Sequence, residues 1–355
     1  MPATTEKLLA DFASGRSFAL ARAVSIVENH RPGVDEILGT LHPKLGRARR
    51  IGITGPPGAG KSTITTRVAR ELRNAGHTVG IVAVDPTSPF TGGALLGDRV
   101  RMENVALDEG VFIRSMATRG SLGGLAATTR EVADVLDGFG FSRIIIETVG
   151  VGQSELDVAR TADTTIVVLV PESGDSIQTL KAGVMEIADV FVINKSDRPG
   201  ADRLRNDVEL MLGLRKGTSY ANVPAHHGVD LRKVNPARLA REDARDDKAE
   251  TWTPPVLRAV AAKGEGITEL MESMDRHFAY LEKSGELRSR RRERLMERVV
   301  EIAERRMRSR LWGQPSTMKW LEARVDDLEA GRATPFNVAD ALLELHGNLV
   351  TGTIK

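Results

Sequence analysis

The run Gly55-Pro56-Pro57-Gly58-Ala59-Gly60-Lys61-Ser62 has the G-x-x-x-x-G-K-S/T spacing of a loop that cradles phosphates. Glycines let successive backbone N–H groups turn inward around an anion. A helix opening directly after such a loop adds its positive end. Lys61 is placed to reach the β- and γ-phosphates of a nucleoside triphosphate, and the Ser62 hydroxyl to ligate Mg²⁺. Gly55, Pro57, Gly58, Ala59, Gly60, Lys61, Ser62 and Thr63 are therefore the expected phosphate-binding stretch. The bland alternative is a glycine-rich strand-to-helix turn without a ligand.

A second constellation, Asn194-Lys195-Ser196-Asp197, has the N-K-x-D pattern that reads guanine. A carboxylate at Asp197 can accept from guanine N1–H and from its 2-amino group. Adenine offers neither donor, so the pattern predicts rejection of ATP. Asn194 is expected to serve the other edge of the base and tie this loop to the phosphate loop, with the Lys195 stem over the base plane. Ala262, within Ala261-Ala262-Lys263-Gly264, sits where a backbone N–H would meet the guanine oxygen. Glu147-Thr148-Val149-Gly150 resembles the D-x-x-G element of GTPases with Glu in place of Asp. Gly150 N–H would contact the γ-phosphate, and Gln153 is a candidate to position water or, equally, a switch-packing residue. Ser62, Asp85, Asp98 and Glu147 form the expected Mg²⁺ set, since converging carboxylates suit a hard cation. For Asp98 the alternative is a helix N-cap. No residue is a clear general base; Arg99, Arg101 and Arg119 are candidate charge-neutralising arginines.

Such residues need strand ends to hold them. Apolar runs at 50–54, 78–84, 111–115, 143–148, 164–170, 190–194 and 256–261 are rich in Val and Ile, several on consecutive positions, as in strands buried on both faces. Amphipathic stretches at 62–75, 124–139, 154–162 and 177–188 alternate with them. The expected fold class is α/β: a P-loop NTPase with a mostly parallel central sheet flanked by helices. Three parts are expected: an N-terminal helical extension over 1–48, the nucleotide domain over 49–284, and a C-terminal helical segment over 285–355. In the first, apolar residues including Leu8, Phe12, Phe18, Leu20 and Val24 recur at helical spacing, and Pro32-Gly33 breaks the run. A polar, proline-bearing insertion is expected at about 216–255; its His226-His227 pair reads as exposed rather than metal-binding. In the C-terminal part, Leu295, Val299, Ile302, Ala303, Met307 and Leu311 make one apolar stripe, and further helices are predicted over 317–330 and from Pro335. These helices carry too few apolar residues for a core of their own, so they must pack on the main domain or on another chain.

Composition removes several classes. With 355 residues and no Cys, a disulfide scaffold, a Cys nucleophile and a thiolate metal site are excluded. Lys and Arg total 50 against 48 Asp and Glu, a net charge of +2, so nothing global points to nucleic acid. The arginines at 288, 290, 291, 292, 294 and 298 are interleaved with glutamates and read as a solvated face. No apolar run approaches the roughly 18 residues of a membrane span. Glu6 and Asp11 argue against a leader, and the expected compartment is the cytoplasm.

The run from Val84 through Asp98 to Met102, with Glu147-Thr148-Val149-Gly150-Val151-Gly152-Gln153-Ser154-Glu155 and the Asn194 motif, resembles the MeaB-type (methylmalonic aciduria type A, ArgK-like) G-protein chaperones. The resemblance covers roughly 15–215 and 252–285, and the C-terminal helices in character. It implies a slow, Mg²⁺-dependent GTPase binding GTP and GDP. It further implies a partner, an adenosylcobalamin-dependent acyl-CoA mutase, whose cofactor loading and reactivation the GTPase gates. It implies a homodimer through the C-terminal helices, and a switch loop in which Asp175, Gln178 and Lys181 signal the partner's presence; Asp175 as a helix cap is the plainer reading. The 216–250 stretch is longer and more polar than the family pattern. Rival classes are a transport-linked ATPase or kinase, disfavoured by Asp197, and a nickel-insertion GTPase, disfavoured by the lack of Cys.

Overall fold

The computed structural model describes residues 3–85, 102–117, 124–148, 154–171, 182–215 and 251–345. Within them the chain divides into two compact units, Met1–Arg290 and Arg291–Lys355. The first holds a seven-stranded sheet: β1 (Arg49–Thr54), β2 (Val79–Asp85), β3 (Val111–Ala117), β4 (Arg143–Thr148), β5 (Thr164–Leu169), β6 (Val190–Ile193) and β7 (Val256–Arg258). Their order across the sheet is β3-β2-β4-β1-β5-β6-β7, and every pairing is parallel. A parallel sheet needs cover on both faces, which is why β5 is buried at every position and reads as one apolar run.

The helices of this unit are α1 (Ala3–Ala13), α2 (Ser17–Glu28), α3 (Val34–Leu41), α4 (Lys61–Asn74), α5 (Glu103–Ala106), α6 (Gly124–Phe139), α7 (Ser154–Ala159), α8 (Ala182–Ile187), α9 (Ala201–Arg215) and α10 (Ile267–Ser284). The pleat sorts side chains between two layers. Ile51, Ile53, Ile145 and Ile166 meet Ile64, Val68 and Leu72 of α4 and Leu270 and Met274 of α10 on one face. Val82, Ile144 and Ile146 meet α6 and the three N-terminal helices on the other, through Leu20, Val24, Ile37 and Leu136. The N-terminal helices thus close that face of the sheet. Phe18, expected on their apolar side, is instead 59% exposed, with the Arg16 guanidinium 6.0 Å from its ring centroid.

Three predicted boundaries are corrected. The strand expected over 256–261 stops at Arg258, because the chain then reverses through a Val260–Glu265 bridge. The helix expected over 154–162 ends at Ala159, and Asp163 N–H is already bonded to the Arg50 carbonyl. The tail of the expected insertion is also not loose surface: Trp252 donates to the Asp189 carbonyl at 2.8 Å and packs 4.8 Å from the His277 ring.

Arg50 carries a buried ionic cluster beneath the sheet. Its guanidinium donates to Asp134 at 2.7 Å and Asp137 at 3.3 Å, while its own N–H donates to Asp163 at 3.1 Å. Asp137 also accepts from the backbone N–H groups of Gly46, Arg47 and Ala48, which fixes the entry to β1. Burial alone would loosen the guanidinium's proton; Asp134 by charge and hydrogen bond, then Asp137 and Asp163, outweigh it and hold the pKa above its ordinary value. Arg50→Met is expected to cost about 3–5 kcal/mol, since it strips the cation from buried carboxylates. A lower urea midpoint at unchanged slope would register that loss; an unmoved midpoint would refute it.

Helix α11 (Glu286–Trp312) begins in the first unit and runs into the second, which adds α12 (Pro315–Glu322), α13 (Val325–Glu329) and α14 (Pro335–Leu345). The single helix predicted over 317–330 is two. At the junction Arg324 donates to the Trp320 carbonyl at 2.9 Å and lies 3.4 Å over the Trp320 ring. On the apolar stripe of α11, Val299 is 68% and Leu295 48% exposed among the described residues.

Candidate functional site

The C-terminal ends of the central strands gather the motifs. β1 lies between β4 and β5, the position where strand order reverses and a crevice opens. β1 runs straight into the phosphate loop. Gly55 (φ +135°) packs so close to β5 that a Cβ would lie 2.1 Å from the Val168 carbonyl oxygen. Gly60 (φ +86°) opens α4, and a Cβ there would lie 2.3 Å from Asn194 Nδ2. Both positions combine a left-handed backbone with contact that only glycine permits. Pro57, Gly58 and Thr63 are exposed, while Ala59 is buried. The first-turn N–H groups of α4, at Lys61, Ser62 and Thr63, have no intrahelical acceptor and present the helix's positive end to the loop.

Lys61 is buried and folds back over the loop, its ammonium donating to the carbonyls of Gly55 at 2.8 Å and Pro56 at 2.9 Å. Ser62 Oγ donates to Glu147 Oε1 at 2.6 Å. Strand register explains that contact: Ile53 pairs with Glu147, and the pleat turns Glu147 to the same face as Ile145 and α4. Glu147 is only 5% exposed, so a buried carboxylate and a hydroxyl share one spot at the start of the helix. Hard oxygen donors of this kind fit a divalent cation such as Mg²⁺. Beside them Thr54 and Thr148 share a buried hydrogen bond of 2.8 Å, which pins β1 to β4 next to the loop.

The 194–197 turn follows β6. Asn194 is buried and ties two loops together: its Nδ2 donates to the Ala59 carbonyl at 2.8 Å, and its Oδ1 accepts from Ala261 N–H at 3.0 Å. The expected link between the guanine motif and the phosphate loop is thus present as geometry. Lys195 has φ +55°, an uncommon conformation for a residue with a Cβ. It lets the chain reverse, with Ser196 N–H bonded to the Ala259 carbonyl and Arg198 N–H to the Lys195 carbonyl. Asp197 is exposed, 3.5 Å from the Lys263 ammonium across the gap. Ala262 is exposed in the facing turn.

The backbone of Asp85 closes β2 beside Ala117. The Asp85 side chain, Asp98, Arg99, Arg101, Arg119, Gly150, Gln153, Asp175, Gln178, Lys181 and the His226-His227 pair lie outside the described residues. Sequence reasoning missed the Thr54–Thr148 pair, because threonines inside apolar strands carry no motif. It also missed Arg67 of α4, whose guanidinium reaches the Ala261–Ala262 carbonyls; an arginine on an amphipathic helix reads as a solvated residue.

A glycine-rich loop opening a helix at the switch point of a parallel sheet defines a P-loop NTPase, and the 194–197 turn beside it narrows the class to guanine-nucleotide proteins. The chain belongs to the MeaB family: residues 20–316 match the profile of the methylmalonyl Co-A mutase-associated GTPase MeaB. It is a GTPase. It is 45% identical over 297 residues to a Pyrococcus abyssi protein named for GTPase activity, covering 84% of this chain and 83% of that one. It is 31% identical over 353 residues to the mouse methylmalonic aciduria type A homolog, mitochondrial, covering 96% of this chain and 79% of the other. The crystal structure of an LAO/AO transport system kinase superposes with a TM-score of 0.64 at 25% identity, covering 98% of this chain and 99% of that one. Among the described residues, no helix is long and apolar enough to cross a membrane.

Proposed function

We propose that this GTPase is a Mg²⁺-dependent chaperone of an adenosylcobalamin-dependent acyl-CoA mutase, gating cofactor loading and reactivation. The observation that carries the reading is the coupled geometry of the site. Asn194 bonds both the phosphate loop and the 261–262 turn, so base recognition and phosphate binding share one hydrogen-bonded frame. The family description, which names association with methylmalonyl Co-A mutase, supports the mutase as partner.

In this reading Gly55, Pro57, Gly58, Ala59, Gly60, Lys61, Ser62 and Thr63 hold the phosphates, and Asn194, Lys195, Asp197 and Ala262 hold the base. Ser62 and Glu147, with Asp85 and Asp98, hold Mg²⁺, which when bound neutralises charge on the β- and γ-phosphates. Lys61 exchanges its two carbonyl partners for phosphate oxygens. Gly150 and Gln153 serve the γ-phosphate side, and Asp175, Gln178 and Lys181 relay the partner's presence. The chain is organised as an extension over 1–48, a GTPase domain over 49–284 and a dimerisation segment over 285–355. The exposed stripe of α11 supports the last of these, because a second copy would cover it.

GTP turnover by the purified chain, alone and with candidate cobalamin mutases, tests the proposal, with ATP as control. Slow turnover confined to GTP and raised at least about tenfold by one mutase is the expected result. Turnover that no cobalamin mutase changes would remove the chaperone role, and equal use of ATP would remove the base assignment.

A further inference from the structure

We infer that Arg67, which belongs to neither nucleotide motif, is a positioning residue for guanine recognition. It acts on the guanine oxygen through the peptide joining Ala261 and Ala262. The inference rests on the assignment of Ala262 N–H to the base proposed above.

Arg67 lies on α4, the helix that begins at the phosphate loop. Its Nε donates to the Ala261 carbonyl at 3.1 Å, and its Nη2 donates to the Ala262 carbonyl at 2.7 Å. The fork thus grips two successive peptides of the turn facing the 194–197 loop. The Ala261 carbonyl and the Ala262 N–H belong to one peptide unit, so a charged donor on the carbonyl fixes the plane in which the N–H points. It also polarises that N–H as a donor. The rest of the turn is held elsewhere. Ala261 N–H is bonded to Asn194, Ala259 N–H to the Ile193 carbonyl, and Lys263 and Gly264 N–H groups to the Val260 carbonyl. Gly264 N–H also reaches the Ala261 carbonyl at 3.2 Å, a weaker and neutral support. Among the described residues, no group accepts from Ala262 N–H, and the residue is exposed.

This arrangement divides the reading of guanine between two anchors. Asp197 faces the N1–H and 2-amino edge, while the peptide held by Arg67 faces the oxygen at position 6. Because Arg67 and Lys61 ride on the same helix, the turn is tied to the phosphate loop through two successive peptides, the oxygen-reading one by Arg67 and the one before it by Asn194. An ammonium at position 67 would lack the fork and could not hold both carbonyls in plane.

The test is a cycle of residue against base, read as dissociation constants for GDP, IDP and 6-thioguanosine diphosphate. IDP lacks only the 2-amino group. The 6-thioguanosine nucleotide keeps that group and N1–H but replaces the oxygen that Ala262 N–H would meet with sulfur, a weak acceptor. Arg67→Met is expected to weaken GDP about tenfold and to shrink the preference for GDP over the 6-thio nucleotide. The preference for GDP over IDP should stay unchanged. Arg67→Lys should fall between the wild type and Arg67→Met, and thermal melts of both variants check folding. An unchanged GDP to 6-thio-GDP ratio in Arg67→Met would overturn the inference. So would equal weakening of all three nucleotides, which would mark Arg67 as a general support of the turn. A wild-type chain indifferent to the oxygen at position 6 would overturn the Ala262 assignment itself, and the two failures are told apart by that comparison.

Discussion

Lys61→Ala lowers the kcat for GTP hydrolysis by about a hundred- to a thousandfold, the loss expected when one preorganised donor is removed from developing oxyanion charge. The site supplies the reasons for so large an effect from one ammonium. Lys61 is 6% exposed, so its charge acts in a poorly solvated spot where it is screened little. Its ammonium is held by the carbonyls of Gly55 and Pro56, groups of the same loop that would wrap the phosphates. A phosphate oxygen is a stronger, charged acceptor at the same place, so the ammonium changes partners over a short distance. Lys61→Arg should not restore turnover, because a planar fork cannot fill a spot shaped for a point charge. Single-turnover assays at saturating GTP separate lost chemistry from lost binding, and a kcat within threefold of wild type would refute the role of Lys61.

The phosphate loop and the 194–197 turn are readable from sequence because each is local: a few contiguous residues encode both backbone shape and chemistry. The sheet is readable for a related reason. Burial on both faces turns β4, β5 and β6 into continuous apolar runs, with turn residues between them. Strand order is a different matter. Glu147 meets Ser62 because β4 pairs with β1, and no local pattern encodes that register. Arg50 at the start of an apolar strand likewise looks like a solvated end. It is instead the hub of three carboxylates drawn from α6 and the approach to β5. The split between α12 and α13 is invisible because no Gly or Pro marks it; the junction shows only an Arg324 side chain bonded to the Trp320 carbonyl and stacked on its ring. Arg67 escapes notice because its function depends on carbonyls far along the chain.

Asp197→Asn exchanges the base that the protein prefers. Guanine shows two donors on the edge that Asp197 would face, and a carboxylate accepts both. Asn has one acceptor and one donor group. Against guanine its amide nitrogen meets another donor, so GDP should bind about a hundredfold more weakly. Xanthine replaces the 2-amino group with an oxygen, and its edge then matches Asn: N1–H donates to the amide oxygen, and the amide nitrogen donates to the new oxygen. The same oxygen opposes the wild-type carboxylate, so XDP should gain about as much as GDP loses. Asp197 lies at the mouth of the site, 3.5 Å from Lys263 and partly solvated, so the substitution removes a surface ion pair of little worth to stability. Competition titrations of GDP against XDP read the exchange directly, and an unchanged preference would show that the base is read elsewhere. The outcome also separates the two ends of the site. Once loaded with XTP, Asp197→Asn should hydrolyse it near the wild-type rate for GTP, because Lys61, Ser62 and Glu147 are untouched. Lys61→Ala should lose turnover on whichever base it is given. A variant at position 197 that binds XTP tightly and fails to cleave it would mean that base contact itself sets the phosphate loop. The Asn194 bond from Ala59 to Ala261 is the connection through which that coupling would run.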